Sequence, residues 1–305
     1  MNNALISVYI PTHNRSEMLK RAVSSVLEQT YKNIEIIICD DGSSDNTAKV
    51  VASLQEKNPN IKYLKNEVPK GACAARNLGI FAAQGEFITG LDDDDEFTKK
   101  RLEELYNFFV SADRNYAFIC GGIEMREKKI TSFGYTKPGV VTLHDLLGSN
   151  IVGNQVFTKT KYLQEIGGFD TSFSAWQDYD CWVRLCNKFG DGFRVGHVSY
   201  IMHMEHEQQR ISTSTKVRNG YEQFIKAHSK LMSEKQMKAA YVNFKLGQNE
   251  SFTINEIIRY ASYKTISKVF KSYVKKRFFI VRKAYNYTRA QKLSNNRNSF
   301  DKKDG

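Results

Sequence analysis

Four consecutive aspartates, Asp92–Asp95, follow the apolar run Phe87–Leu91. Such a run repels itself unless a cation neutralises it. On an extended backbone, residues two apart face the same way, so Asp92 and Asp94 can share one hard divalent ion whose shell is completed by substrate phosphates. A solvated acidic loop has the same composition; the position at a strand end favours the ligand reading. Two further carboxylates, Asp178 and Asp180, stand two apart where a helical pattern begins. There a carboxylate suits the positive end of a helix dipole. The stretches Pro11-Thr12-His13-Asn14-Arg15 and Asp40-Asp41-Gly42-Ser43 add polar groups. Asp41 can accept a hydrogen bond from an imide N–H, and a ring at His13 can lie against a base; the plainer role for Asp40 and Asp41 is turn capping. His203 and His206, with Glu205 and Glu207, have the types for part of a zinc site, but no further ligand set accompanies them.

These groups need elements to hold them. Ile6–Thr12 and Ile34–Cys39 are near-continuous β-branched and apolar runs of the kind a parallel sheet buries on both faces. Ile61–Leu64 and Glu86–Leu91 read as two more strands. Helical patterns fall between them, from Ser16, over Thr47–Leu54 and over Gly71–Ala83. The order β-α-β-α-β-α-β predicts a doubly wound α/β half-domain, in which ligands bind at the carboxyl ends of the strands. The polar stretches at 11–15, 40–43 and 92–95 then share one rim. Farther on, the pattern predicts a helix at Thr98–Val110, a strand at Tyr116–Met125 and an irregular region to about Asn150. Helices follow at Thr160–Ile166 and Ala175–Phe189, then a strand at Val198–Met204.

The chain has 305 residues and a formal charge of +12. That charge is unevenly placed: residues 1–215 carry 24 basic and 27 acidic side chains, and residues 216–305 carry 21 and 6. The basic character therefore belongs to the tail, and no nucleic-acid motif accompanies it, so nucleic acid is not an expected partner. Five cysteines without a C-x-x-C pair predict reduced thiols in a cytosolic protein. The amino terminus has no basic segment before an apolar stretch, so no signal peptide is expected, and no run of 18 apolar residues predicts a spanning helix.

The strings SVYIPTHNR, IIICDDGSSDNT, KGACAARNLGI and GEFITGLDDDD, in this order and spacing, resemble glycosyltransferase family 2. Gly167-Gly168-Phe169-Asp170 and Trp176-Gln177-Asp178-Tyr179-Asp180 with Arg184 resemble its acceptor-side segment, with Gln177 where the family usually has Glu. The likeness covers about two thirds of the chain. It implies a GT-A fold, a mixed sheet with helices on both faces, in a catalytic domain over 1–215: a nucleotide-sugar half (1–110) and an acceptor half (111–215). It also implies roles. Pro11, Thr12, His13, Asn14, Arg15 and Asp41 would line the base and ribose, with His13 where the family usually has Tyr. Lys70, Arg76 and Asn77 would close around the nucleotide. Asp92 and Asp94 would hold Mn²⁺ or Mg²⁺, with the register open to Asp93 and Asp95. Asp178 would be the catalytic base, with Asp180 the competitor. His206 and Arg210 would meet the diphosphate.

The activity implied is an inverting, metal-dependent transfer of a hexose from a UDP-sugar to a polyprenyl-diphosphate-linked N-acetylhexosamine, as in the family's O-antigen and surface-polysaccharide hexosyltransferases. Alternatives are a nucleotidyltransferase and a non-catalytic nucleotide-sugar-binding protein. Over 216–293, Ile254, Ile257, Ile258, Ala261, Ile266, Val269, Phe270, Tyr273 and Val274 recur at helical spacing among Arg259, Lys264, Lys268, Lys271, Lys275, Lys276 and Arg277. A basic amphipathic helix suits an anionic membrane surface, which places the enzyme peripherally at the inner face of a bacterial plasma membrane. A helix packed on the catalytic domain with a solvated basic face has the same pattern. Residues 294–305 are expected to be disordered.

Overall fold

The two most apolar runs pair side by side. In the computed structural model, β1 (Ile6–Thr12) and β2 (Ile34–Asp40) are parallel, in register from Ile6↔Ile34 to Thr12↔Asp40, and buried along their whole length. The structure describes residues 3–127, 130–204, 214–248, 250–261, 266–267, 269–270 and 272–274. Between the first strands lie α1 (Ser16–Leu27) and α2 (Thr47–Lys57), followed by β3 (Ile61–Lys65), α3 (Ala72–Ala82) and β4 (Phe87–Gly90). β3 and β4 flank the central pair, both parallel to their neighbours. This is the β-α-β half-domain that the apolar periodicity predicts.

Residues of β1 alternate between two layers. Ile6, Val8 and Ile10 join Leu19, Ala22, Val23 and Val26 of α1 in one buried cluster. Tyr9 points the other way, onto α3, where a Cβ on Gly79 would lie 2.6 Å from the Tyr9 Cβ. Helices thus cover both faces, and only a residue without a side chain lets α3 approach this closely.

The second half adds β5 (Glu96–Phe97), α4 (Arg101–Ser111), β6 (Ile119–Glu127), β7 (Ile130–Gly134), β8 (Gly139–Val141), α5 (Leu143–Gly148), β9 (Phe157–Lys159), α6 (Thr160–Glu165), α7 (Gln177–Phe189) and β10 (Gly192–His203). The sheet runs β3-β2-β1-β4-β9-β6-β10-β5, with β7 on β6 and β8 on β10. β9 is antiparallel to both β4 and β6, and β10 is parallel to β6. The carboxyl ends of β1, β2, β4 and β10 therefore meet at one rim. The stretch expected to be irregular up to Asn150 contains β7, β8 and α5, and β10 begins six residues before the expected strand. These elements are short, and β10 shifts register twice between Arg194 and Tyr200, which breaks the alternation a sequence pattern relies on.

The chain divides into two units, 1–232 and 233–305. The expected boundary at 215 falls inside α8 (Ser214–His228), which belongs to the first unit. In the second unit, α9 (Glu234–Gly247) and α10 (Ile254–Tyr260) each begin with a capping box, from Ser233 and Thr253. The expected long amphipathic helix is interrupted: α10 ends at Tyr260 and Ala261 is extended. Its apolar residues separate, since Val269 is fully buried with Val242 and Phe252, whereas Ile254, Ile258, Ile266, Phe270 and Val274 are exposed. Residues 294–305 lie outside the described residues.

Candidate active site

A cavity of about 700 Å³ opens at the shared rim. The end of β1 supplies Pro11, Thr12, His13 and Arg15; the loop after β2 supplies Asp41; the start of α3 supplies Lys70 to Cys73 and Arg76; and the loop after β4 supplies Asp92, Asp93 and Asp94. The far wall is Thr171–Ser174, Gln177, His203, Met204 and Lys216.

The aspartates do not alternate as on a strand. A turn, closed by the Asp95 N–H donating to the Asp92 carbonyl at 3.1 Å, brings 92, 93 and 94 to the cavity together. Asp92 accepts from Arg76 Nη2 at 3.0 Å, Asn154 Nδ2 at 3.0 Å and Gln155 Nε2 at 3.2 Å. Asp93 is buried and accepts from Thr12 Oγ1 at 2.7 Å and Arg15 Nη1 at 3.1 Å. Burial still raises its carboxyl to about 6, because desolvation outweighs the nearby guanidinium. Asp94 stays partly exposed and pairs with the same Arg15 nitrogen at 3.1 Å. Asp95 turns away, accepting from Tyr200 Oη at 2.8 Å and the His203 N–H at 2.9 Å. Burial, then the charges of Asp92 and Asp94, push its carboxyl upward. Of the four aspartates, Asp92, Asp93 and Asp94 line the cavity and Asp95 does not.

Asp41 lines the cavity as well. Its carboxylate accepts from Asn66 Nδ2 at 2.9 Å and from the backbone N–H groups of Lys70 at 2.8 Å and Gly71 at 2.7 Å. These bonds fix the entrance to α3, where Gly71 has φ 93. His13 Nδ1 lies 2.8 Å from the Asp41 carbonyl, which can only accept, so that nitrogen carries the proton and Nε2 accepts from Asn14 Nδ2 at 3.1 Å.

Three expected residues, Asn14, Asn77 and Asp178, do not line the cavity. Asn14, left-handed at φ 54, uses Oδ1 to accept from the N–H groups of Ser44 and Asp45, clamping the loop behind the rim. Asn77 spends its amide on Phe169, donating to the carbonyl and accepting from the N–H, both at 2.8 Å. It ties α3 to the Gly167–Asp170 turn instead of meeting a nucleotide. His206 and Arg210 lie outside the described residues.

Asp178 sits behind Arg76 at the start of α7. Its Oδ1 is buried without a hydrogen-bond partner, 4.0 Å from Arg76 Nη1, while the side chain as a whole keeps 26% of its surface open. Burial raises its carboxyl to about 7, with Arg76 pulling down and Asp92 pushing up. Asp180 is different in kind: it is 1% exposed, and its oxygens accept from Arg184 Nε at 2.8 Å and face His228 Nε2 at 2.9 Å. Asp180 is thus committed to Arg184 and His228.

The donors at Asp92 and Asp94 fit a hard divalent ion. They are carboxylate oxygens on a polar wall, and a guanidinium already settles against Asp94. Among the described residues no group of three or more His, Cys, Asp or Glu is arranged to hold a metal, so substrate phosphates would supply the remaining oxygens.

The profile of Glycosyl transferase family 2 matches residues 7–169, more than half of the chain. The chain belongs to that family. It is 37% identical over 240 residues to WcaA of Escherichia coli (strain K12), named for glycosyl transfer in colanic acid biosynthesis; the match covers 74% of this chain and 82% of that one. It is 32% identical over 185 residues to WfgD of Escherichia coli, a UDP-Glc:alpha-D-GlcNAc-diphosphoundecaprenol beta-1,3-glucosyltransferase, covering 61% and 71%. It spans only about a third of two longer Rickettsia glycosyltransferases. Among solved structures, S. aureus TarS 1–349 in complex with UDP-GlcNAc superposes with a TM-score of 0.63 at 17% identity, over 88% of this chain and 79% of that one. The fold is GT-A.

For a family 2 glycosyltransferase, the sequence patterns found the acidic side of the cavity and missed its support. Asn154 and Gln155 hold Asp92 from a segment without a regular period, and Tyr200, inside the expected strand Val198–Met204, holds Asp95 through a hydroxyl that no pattern marks. Thr171–Ser174 and Lys216 carry no chemical signature and reach the wall only through the fold. His203, noted beside His206, lines the cavity and places Nε2 2.6 Å from Glu96 Oε1.

Proposed function

We propose that this glycosyltransferase moves a hexose, glucose before galactose, from a UDP-sugar in β linkage onto an N-acetylhexosamine carried by a lipid diphosphate, during assembly of a bacterial surface polysaccharide. The observation that carries this reading is the juxtaposition, around Arg76, of the cavity carboxylate Asp92 and Asp178, which pairs with the guanidinium but has no hydrogen bond. WfgD, named for this donor and acceptor class, supports the choice of sugars.

In this reading the nucleotide lies along Pro11–His13 and Asp41, with the diphosphate between Lys70 and the aspartate turn. Asp94 and Asp92 would hold Mn²⁺ or Mg²⁺, whose contribution when bound is to neutralise charge on the departing diphosphate. Asp178 takes the proton from the attacking acceptor hydroxyl, and a single displacement inverts the anomeric centre. A carboxyl raised to about 7 suits that task, since it is basic enough to accept a proton and still ionises near neutral pH.

The acceptor lies in a membrane, so the enzyme must reach the surface. The basic residues after 254 and the exposed Ile254, Ile258, Ile266, Phe270 and Val274 suit peripheral attachment at the inner face. Among the described residues no helix is long and apolar enough to cross a membrane. The test is a screen of UDP-, GDP- and dTDP-hexoses against polyprenyl-diphosphate N-acetylhexosamines, with the product linkage read by NMR. A β-linked hexose from UDP-glucose or UDP-galactose is expected; transfer only from a GDP- or dTDP-sugar refutes the assignment.

A further inference from the structure

The segment that leads into α7 carries a bulky residue in an unfavourable conformation. Trp176, immediately before Gln177 and Asp178, has φ 63 and ψ 13. For a large aromatic side chain this left-handed backbone is an outlier, and it persists only where surrounding contacts enforce it.

Those contacts come from α8. Ser174 Oγ donates to the Lys216 carbonyl at 3.1 Å, and Gln223 Nε2 donates to the Ser172 carbonyl at 2.9 Å. The Trp176 ring meets Tyr221 and Phe224 edge-on, at 5.6 and 5.5 Å, and Phe224 stacks on Tyr179 at 4.2 Å. At the end of the helix His228 reaches Asp180, which Arg184 also holds. At its middle Gly220 lies so close that a Cβ would stand 2.4 Å from the Ala175 carbonyl oxygen. Of these α8 residues only Lys216 lines the cavity, so the others act through α7.

We propose that α8 is a latch that positions Asp178: by gripping Ser172 to Asp180 it holds the strained Trp176 turn and keeps the Asp178 carboxylate behind Arg76, without a hydrogen bond of its own. Tyr221, Phe224 and His228 are its positioning residues. The inference rests on the reading of Asp178 as the base.

The experiment compares full-length Tyr221→Leu, His228→Leu and His228→Gln with the parent for turnover, UDP affinity by calorimetry and far-UV circular dichroism. Small misplacements of a catalytic group cost about 10- to 100-fold. Tyr221→Leu and His228→Leu should therefore lower kcat by at least about 10-fold while UDP affinity stays within about twofold. His228→Gln, whose amide can still donate to Asp180, should recover most of the loss. If His228→Leu does not fold, Tyr221→Leu, at a half-buried site, carries the test. A folded Tyr221→Leu with parental kcat, a matching loss of UDP affinity, or a His228→Gln as slow as His228→Leu would each overturn the latch. Asp178→Asn separates the levels: if it is active, the base reading falls and the latch with it. If it is inactive while the latch variants turn over normally, only the latch falls.

Discussion

Arg15 Nη1 lies 3.1 Å from Asp94 Oδ2, so the acidic wall of the cavity already holds a positive charge against its most exposed carboxylate. A divalent ion would share Asp94 with this guanidinium. Asp94→Ala should abolish transfer, and the parent should lose activity in chelator and regain it with Mn²⁺. Because both partners are partly exposed, the pair contributes little to stability, and thermal unfolding of Asp94→Ala should shift by only a few degrees, about 1 kcal/mol. Full activity in EDTA would remove the metal from the mechanism.

Asp178 and Asp180 should separate cleanly on substitution by Asn. Asp178→Asn keeps the shape and loses the proton acceptor, so turnover should fall by about 10²-fold or more with UDP binding retained. Asp180→Asn weakens the buried hydrogen bonds that hold Arg184 and His228 and should destabilise the fold by about 1–3 kcal/mol. Denaturant unfolding together with kinetics reads both effects. A stable, inactive Asp180→Asn beside an active Asp178→Asn would exchange the two roles.

The raised Asp178 carboxyl makes a pH prediction with a definite sign. Only the ionised form accepts a proton, so kcat/KM should rise about tenfold per pH unit up to about 7 and then level off. Stability runs the other way. A carboxyl raised in the folded state favours folding fully below its ordinary value, and that contribution is lost as pH rises through about 7. Asp178→Asn should therefore unfold at a higher temperature than the parent at pH 8. A rate profile flat from pH 5 to 8 would show that this carboxyl does not limit the reaction.

The basic tail can be tested by charge alone. Full-length protein should sediment with anionic vesicles at low salt and be released at high salt. Replacing Arg259, Lys264, Lys268, Lys271 and Lys275 with Gln should abolish sedimentation, since each such charge contributes about 1 kcal/mol near an anionic leaflet. UDP binding should be unchanged. Vesicle binding that survives the substitutions would show that these charges do not carry the attachment; binding that also survives truncation after about residue 253 would assign the tail a packing role, of which the burial of Val269 against Val242 and Phe252 is already an instance.

What the residues disclosed in advance follows from how local each signal is. β1 and β2 are continuous apolar runs with polar ends, so both the strands and the rim they reach were readable. The two-residue β5 and three-residue β8 and β9 are too short to show a period; they exist because longer strands lie beside them. The same holds within the site. Asp41 and the aspartate run announce themselves by composition, whereas Asn77 has the same motif position whether it meets a ligand or the Phe169 backbone. Asp178 and Asp180 are two residues apart on one helix, and Arg184 together with His228, 48 residues from Asp180 in sequence, tells them apart by holding Asp180.

The aspartate turn also has a history in time. Part of its support is made before it, from Thr12, Arg15 and Arg76, and part after it: Asn154 and Gln155 follow Asp92 by 62 and 63 residues, and Tyr200 by 108. On a ribosome, the first half-domain, with its locally connected parallel strands, emerges with these carboxylates held by guanidinium and hydroxyl groups alone. Their support is complete only when β9 pairs beside β4 and β10 closes over them. A nascent chain paused before residue 150 should therefore hold a sheet and an unfinished site, and the transferase would be completed late in its own synthesis.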